Sequence, residues 1–171
     1  MVVRKRLDLS GSAIAFVTTT VFKWKPVLTQ ENVIDIIIKE LQKTQSLFQM
    51  SYICYVIMPS HIHLLLGFQN ISDLSKYVQT FKSITSRQIK QSCLPDLVDN
   101  EYKLWKPRFD DLIIASDHQL KTKMEYIHNN PVKAGLVEQA EDWLFSSALD
   151  WLTDRKGLIR IDKEYQWLAS E

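Results

Sequence analysis

Two apolar segments joined by a very short link constrain the fold more than any other feature of the chain. Tyr52–Met58 reads YICYVIM, His61–Phe68 reads HIHLLLGF, and Pro59-Ser60 stands between them. Both segments have the composition of buried strands. Because so short a link joins strands that lie side by side, the sequence predicts an antiparallel β-hairpin here.

A further strand is predicted before this hairpin, and one or two short strands after it. Ala13–Phe22 is rich in β-branched and aromatic residues, a composition that favours a strand. Leu94–Asn100 contains proline and aspartate and is interpreted as a loop. Lys103–Ala115 alternates loosely between apolar and polar residues, so we expect short strands near Arg108-Phe109.

One helix is predicted before the hairpin and one after it. Thr29 is interpreted as the N-cap of the first helix, in which apolar residues keep helical spacing from Val33 to Phe48. Ser72 is interpreted as the N-cap of the second helix, which runs to about Cys93.

A third helix is predicted after the last strand. Ser116 or Asp117 is expected to cap it, and it should end near Asn129 because Pro131 disfavours helical geometry just before it. This mixture of hairpins and helices predicts an α+β fold with a mostly antiparallel sheet and helices packed on it.

Composition and charge fit one globular domain. Hydrophobic residues make up 46% of the 171 residues and charged residues 24%, which excludes a disordered tail or a coiled-coil rod. No apolar run is long enough to span a membrane, and the N-terminus lacks the apolar core of a signal peptide. Cys54 and Cys93 form no close pair, so we expect a cytoplasmic protein without a disulfide framework. The formal net charge of +1 neither demands nor excludes nucleic acid as a partner.

The first candidate site is His61-Ile62-His63 at the start of a predicted strand. Residues two apart on a strand point to the same face, so the two imidazoles project together. Two neutral imidazoles side by side make half of a metal site. The alternative is a chance pair of histidines on the wetter face of the strand.

The second candidate is Tyr126 near the end of the third helix. It lies off the apolar face that the helical spacing predicts, which comprises Leu120, Met124 and Ile127. It shares a polar flank with Lys123 and, if the helix persists, Asn130. A tyrosine in this position can serve as a nucleophile. The alternative is an ordinary amphipathic tyrosine at the edge of a helix.

The third candidate is one face of the second helix. Six basic or polar side chains cluster there at helical spacing: Lys76, Gln79, Thr80, Ser83, Arg87 and Lys90. No acidic residue occurs from Leu74 to Pro95. Such a face suits a phosphate backbone, although a merely solvated face has the same pattern.

Two sequence blocks together resemble a known family. The first is VIMPSHIHLLL at 56–66, and the second is YIHNNPVKAGLV at 126–137. In this order the chain resembles the single-tyrosine HUH transposases of the IS200-like fold family, in their REP-associated tyrosine transposase branch. Weaker matches at 16–19, 104–109 and 143–147 extend the resemblance over roughly residues 13–151. It implies a ferredoxin-like HUH endonuclease core.

The resemblance also implies a chemistry. His61 and His63 would be metal ligands, Asn130 the third ligand, and the ion Mg²⁺ or Mn²⁺, of which this donor set suits Mn²⁺ at least as well. Tyr126 would attack a phosphate of single-stranded DNA beside a hairpin, giving a 5′-phosphotyrosine and a free 3′-OH. His128 is interpreted as a packing or hydrogen-bonding residue. The residues expected to contact DNA are Lys76, Ser83, Arg87, Lys90, Arg108 and Lys123.

Organisation and activity leave alternatives. We expect a catalytic domain at 1–137 and a C-terminal extension at 138–171 packed on it. Relatives act either as dimers that exchange tyrosine helices or as monomers, so a monomer or a homodimer is expected, without membrane contact. The rival function is a domesticated module that binds hairpin nucleic acid without cutting it. A metal-dependent hydrolase is a further alternative, but barrel hydrolases with a His-x-His motif need a longer chain.

Overall fold

The computed structural model describes residues 10–93 and 103–165, and it has the expected α+β architecture. Four strands form one sheet in the order β2-β3-β1-β4, and every neighbouring pair is antiparallel. The strands are β1 Ala13–Thr20, β2 Met50–Ile57, β3 His61–Phe68 and β4 Asp110–Ile113. The helices are α1 Glu31–Leu47, α2 Leu74–Cys93, α3 Asp117–Lys133 and the short α4 Ala148–Leu152. The predicted hairpin is therefore confirmed as β2-β3. The loop expected at 94–100 lies outside the described residues.

The helices cover the two faces of the sheet separately. α1 and α2 share one apolar core with alternate residues of β3, among them Ile62 and Leu64. α3 packs on the other face, where Leu120 and Ile127 meet Leu65. Since side chains alternate along a strand, the histidines of β3 lie on the α3 face.

Both predicted caps of the first two helices are wrong by one or two residues. Gln30, not Thr29, is the N-cap of α1, and no side chain caps this helix. A 3-10 turn at 71–73 precedes α2, and the Asn70 side chain accepts from the Ser72 backbone N–H. An Asx turn therefore begins this segment, in place of a Ser72 cap. The cap of α3 is confirmed, because Ser116 Oγ accepts from the Gln119 N–H.

The expected end of α3 near Asn129 is also wrong, because the helix continues through Pro131 to Lys133. Its end is set by Gly135, which adopts a φ of 70°. Leu136 N donates to the Pro131 carbonyl and Gly135 N to the Val132 carbonyl. This Schellman arrangement needs a left-handed residue that glycine supplies without strain. Asn130 therefore stays helical, one turn after the tyrosine.

The segment after α3 runs along the free edge of β2. Ile57 N donates to the Phe145 carbonyl, and Ser147 N donates to the Tyr55 carbonyl. The indole N–H groups of Trp143 and Trp151 donate to carbonyls of the same strand. Covering an edge strand in this way protects its unpaired backbone groups. Trp167 lies outside the described residues.

Within residues 10–93 and 103–165, none of the helices combines the length and apolarity that crossing a membrane would require.

Candidate active site

The two histidines of β3 lie together on the sheet, as the strand spacing predicted. Their ring centroids are 4.8 Å apart. In the antiparallel register His63 pairs with Thr18 and His61 with Thr20. The Thr18 hydroxyl is 2.8 Å from His63 Nδ1, so the neighbouring strand fixes the orientation of this ring.

The second nitrogen of His63 is suited to hold a cation. His63 Nε2 is buried and has no hydrogen-bond partner among the described residues. Burial, assisted by the charges of His61 and Lys123, lowers the pKa of His63 to about 3. Burial also lowers the pKa of His61, and a hydrogen bond with Asn130 acts in the opposite direction. Both imidazoles are therefore neutral at pH 7, the state in which histidine binds metals.

Tyr126 lies directly beside this pair. Its ring centroid is 5.2 Å from that of His63 and 6.1 Å from that of Phe16. Its side chain is 39% exposed, so the position off the apolar face of α3 is confirmed. The phenol is thus held at the edge of the site and remains open to solvent.

Asn130 reaches the same site from α3. It comes one turn after Tyr126, and its side chain is close enough to His61 to raise the pKa of that imidazole. Within the described part of the chain, no three His, Cys, Asp or Glu side chains cluster as a metal site. The donors that come together here are two imidazoles and one amide, a set that fits a divalent transition metal.

Two lysines place positive charge around the phenol. Lys123 Nζ lies 5.5 Å from the centroid of the Tyr126 ring, and Lys133 Nζ lies 5.8 Å from it. Lys123 also lies over Phe16 at 4.6 Å. Cations at this range stabilise negative charge on a neighbouring group. Lys123 was predicted from the sequence as a site residue. Lys133 was not, because α3 was expected to end before it.

His128 is buried, and its side-chain partners belong to β2 and to the segment after α3. Its Nε2 lies 3.0 Å from Ser147 Oγ and 3.2 Å from Cys54 Sγ. Burial lowers the pKa of His128 to about 4 and raises that of the Cys54 thiol to about 12. The cluster therefore joins α3, β2 and the C-terminal segment as neutral groups, in agreement with a packing role.

The predicted DNA-contact residues of α2 lie apart from Tyr126. α2 packs on the sheet face opposite α3, and Lys76, Arg87 and Lys90 are exposed on its outer side. Ser83 lines an open cavity of about 290 Å³ between α2 and residues 103–107. Arg108 follows this segment and is exposed. Their role in DNA binding stays a prediction.

Two residues near the histidines were missed from the sequence as site residues. Thr18 was noted only within a weak family match, since its contact with His63 depends on the register of β1 against β3. Trp24 lies edge-on to His61 with ring centroids 5.6 Å apart. The single signal for it is an isolated tryptophan between two lysines.

Comparison with known sequences gives a family match over the part of the chain that contains His61, His63, Tyr126 and Asn130. The family described as transposase IS200 like matches residues 12–130. A Haemophilus influenzae protein, provisionally named a REP-associated tyrosine transposase, is 34% identical over 106 residues, 58% of this chain. The REP-associated tyrosine transposase of Escherichia coli K12 is 29% identical over 94 residues, 54% of this chain. The chain spans 58% and 51% of the lengths of these relatives.

Comparison with solved structures confirms the fold. A REP-associated tyrosine transposase bound to a REP hairpin superposes with a TM-score of 0.71, at 22% identity, over 100% of this chain and 98% of that one. A Deinococcus radiodurans protein, provisionally described as a transposase, has a TM-score of 0.50 at 21% identity, over 75% of this chain and 97% of that one.

Proposed function

Because the chain belongs to the IS200-like transposase family, we propose that it cuts and rejoins single-stranded DNA with Tyr126 as its nucleophile. The observation that carries this proposal is the exposed phenol of Tyr126 with its ring centroid 5.2 Å from that of His63. A tyrosine that served only packing would not need an open position beside two neutral histidines.

His61, His63 and Asn130 are proposed to hold a divalent metal. The buried lone pair of His63 Nε2 and the amide of Asn130 beside His61 support this set. Family membership supports a divalent ion, and we propose Mn²⁺ or Mg²⁺. When bound, such an ion withdraws charge from a phosphodiester and makes its phosphorus easier to attack.

The proposed reaction is a transesterification on Tyr126. The phenol loses its proton to solvent, and its oxygen forms a bond to the phosphorus as the bond from phosphorus to the 3′ oxygen breaks. The departing 3′ oxygen takes up a proton, which leaves a 5′-phosphotyrosine and a free 3′-OH. Reversal by another 3′-OH rejoins the strand, so the energy of the phosphodiester is conserved in the covalent link.

Lys123 and Lys133 support the phenol in this role. Both ammonium groups lie within 6 Å of the Tyr126 ring centroid. They would stabilise the phenolate as it forms. Their second function would be to bind the non-bridging oxygens of the scissile phosphate.

The substrate we propose is a DNA hairpin with a single-stranded flank. The solved relative bound to a REP hairpin supports this substrate class. The exposed basic side of α2, with Lys76, Arg87 and Lys90, would hold the phosphates of the duplex.

The experiment that tests this function is strand cleavage of a labelled single-stranded hairpin DNA, with Mn²⁺ and with chelator. We expect one cleaved product with metal and none with chelator. Tight hairpin binding without cleavage, under every metal condition and with the DNA flanking the gene as substrate, would favour the binding-only rival.

A further inference from the structure

We infer that Trp24 is a stacking platform for one nucleobase of the single strand, adjacent to the phosphate that Tyr126 attacks. This inference rests on the proposed function, and it adds a base-binding position that is separate from the metal and the nucleophile. The ligand is an unpaired base, recognised through the face of an indole.

The first observation is the position of the side chain. Trp24 is 54% exposed, a high value for the largest apolar side chain, which is usually mostly buried. Its ring meets that of His61 at an interplanar angle of 71°, so the edge of one ring faces the other. The indole therefore lies beside the candidate metal ligands and is still open to solvent.

The second observation is that the backbone carrying this ring is held in place. Phe22 N donates to the Leu104 carbonyl at 2.7 Å, and Trp24 N donates to the Val21 carbonyl at 3.0 Å. Val21 also forms an isolated antiparallel bridge with Trp105. A backbone that is fixed in advance loses no conformational entropy of its own when a base stacks on the ring it carries.

The third observation is backbone strain at the same point. Lys23 and Trp24 both adopt a φ of 57°, a left-handed conformation that costs a residue with a side chain about 1–2 kcal/mol. Both side chains are exposed, so burial of apolar surface does not compensate for this cost. Strain of this kind concentrates at functional sites, and here it sets the direction of an exposed aromatic ring.

The fourth observation is a cation over the ring. Lys106 Nζ lies 4.3 Å from the centroid of the Trp24 ring, and Lys106 N donates to the Thr20 carbonyl. Lys106 also lines the cavity that contains Ser83. An aromatic face next to a cation is the combination that binds single-stranded nucleic acid, since the base stacks while the phosphate pairs with the ammonium group.

A different role for Trp24 would be to shield His61 from water. If Trp24 shields His61, removal of the indole should change metal affinity and should change the affinity for every DNA probe to the same extent. If Trp24 stacks on a base, removal of the indole should leave metal affinity unchanged, and the loss of DNA affinity should depend on one base of the strand.

The test is a binding scan in the Tyr126→Phe background, which keeps the DNA intact. The probe is a hairpin with a single-stranded flank, intact or with one abasic position moved along that flank. We expect Trp24→Ala to weaken binding of the intact probe by about 5-fold or more, the lower end of base-stacking energies. When the abasic position removes the stacked base, Trp24→Ala and its Tyr126→Phe parent should bind the probe with equal affinity. Trp24→Phe should keep most of the affinity, and the exposed-residue control Leu144→Ala should keep all of it.

Two further measurements separate stacking from its alternatives. The slope of log K against log salt should be the same for Trp24→Ala and for the parent, because stacking releases no counterions. Mn²⁺ affinity should also be the same. The inference would be overturned if Trp24→Ala and its parent bound the intact probe equally. It would also be overturned if Trp24→Ala lost the same affinity relative to its parent at every abasic position. A parallel loss of Mn²⁺ affinity would replace it with shielding. Cleavage by the wild-type protein tests the proposed function independently of all these outcomes.

Discussion

The ring of His63 on β3 and the ring of Tyr126 on α3 lie with their centroids 5.2 Å apart, so the sheet and the helix on one of its faces meet at this pair. β3 presents His63 as its third residue, and α3, capped by Ser116, presents Tyr126 about two turns before its end at Lys133. The proposed attack of Tyr126 on DNA depends on this juxtaposition.

The metal set is tested by removing both imidazoles. We expect calorimetric titration with Mn²⁺ to show binding to the wild-type protein and none to the His61→Ala, His63→Ala double variant. His118→Ala, which removes an exposed histidine elsewhere, is the matched control and should bind as wild type. Equal affinity in the double variant would refute the assignment of these ligands.

The hydroxyl of Thr18 is expected to tune that metal site. It lies 2.8 Å from His63 Nδ1, and groups that orient a ligand histidine typically change metal affinity by about 10- to 100-fold. Thr18→Val should therefore weaken Mn²⁺ binding in the same titration. Thr19→Val is the control on the same strand, because Thr19 Oγ1 is buried and has no partner among the described residues. It should keep metal affinity, and a loss equal to that of Thr18→Val would mean that the strand, not the hydroxyl, matters.

The basic side of α2 is expected to contact phosphates. Replacing Lys76, Arg87 and Lys90 by glutamine should weaken binding to hairpins of any sequence and flatten the dependence of log K on log salt by about 2–3 units. The matched control replaces Lys39, Lys43 and Lys156, which are also exposed. If both triple variants change the slope by the same amount, the effect is one of net charge and α2 is only a solvated face.

The end of α3 is expected to depend on Gly135. An alanine at its φ of 70° should lower the free energy of unfolding by about 1 kcal/mol, measured by urea denaturation. Gly67→Ala is the control, since its new Cβ would meet Ile53 at an ordinary 3.6 Å. It should change stability little. If Gly135→Ala is as stable as wild type, another contact ends the helix.

Local patterns predicted much of this fold. The β2-β3 hairpin and the amphipathic α2 depend on residues close in sequence, and both are confirmed. The pairing of His61 and His63 depends only on strand geometry, which is why the sequence was enough to predict it. The exposed position of Tyr126 followed in the same way from helical spacing.

The remaining features depend on contacts distant in sequence or on backbone conformation. Thr18 reaches His63 only through the register of β1 against β3. The predicted end of α3 near Asn129 is wrong because it was inferred from the geometry that Pro131 disfavours at the residue before it. The helix continues to Lys133, and the turn at Gly135 satisfies its last carbonyls. The left-handed conformation of Trp24 has no signature in its neighbours, since neither it nor Lys23 is a glycine.

The central claim is that Tyr126 becomes covalently joined to DNA, and the most direct measurement is denaturing gel electrophoresis after incubation with labelled hairpin DNA and Mn²⁺. The wild-type protein should give a protein-linked band that survives boiling in detergent. Tyr126→Phe should give neither this band nor cleavage, although it should fold and bind Mn²⁺ as wild type, because only an exposed hydroxyl is lost. Continued cleavage by Tyr126→Phe would contradict the account, since water and not the phenol would then be the nucleophile.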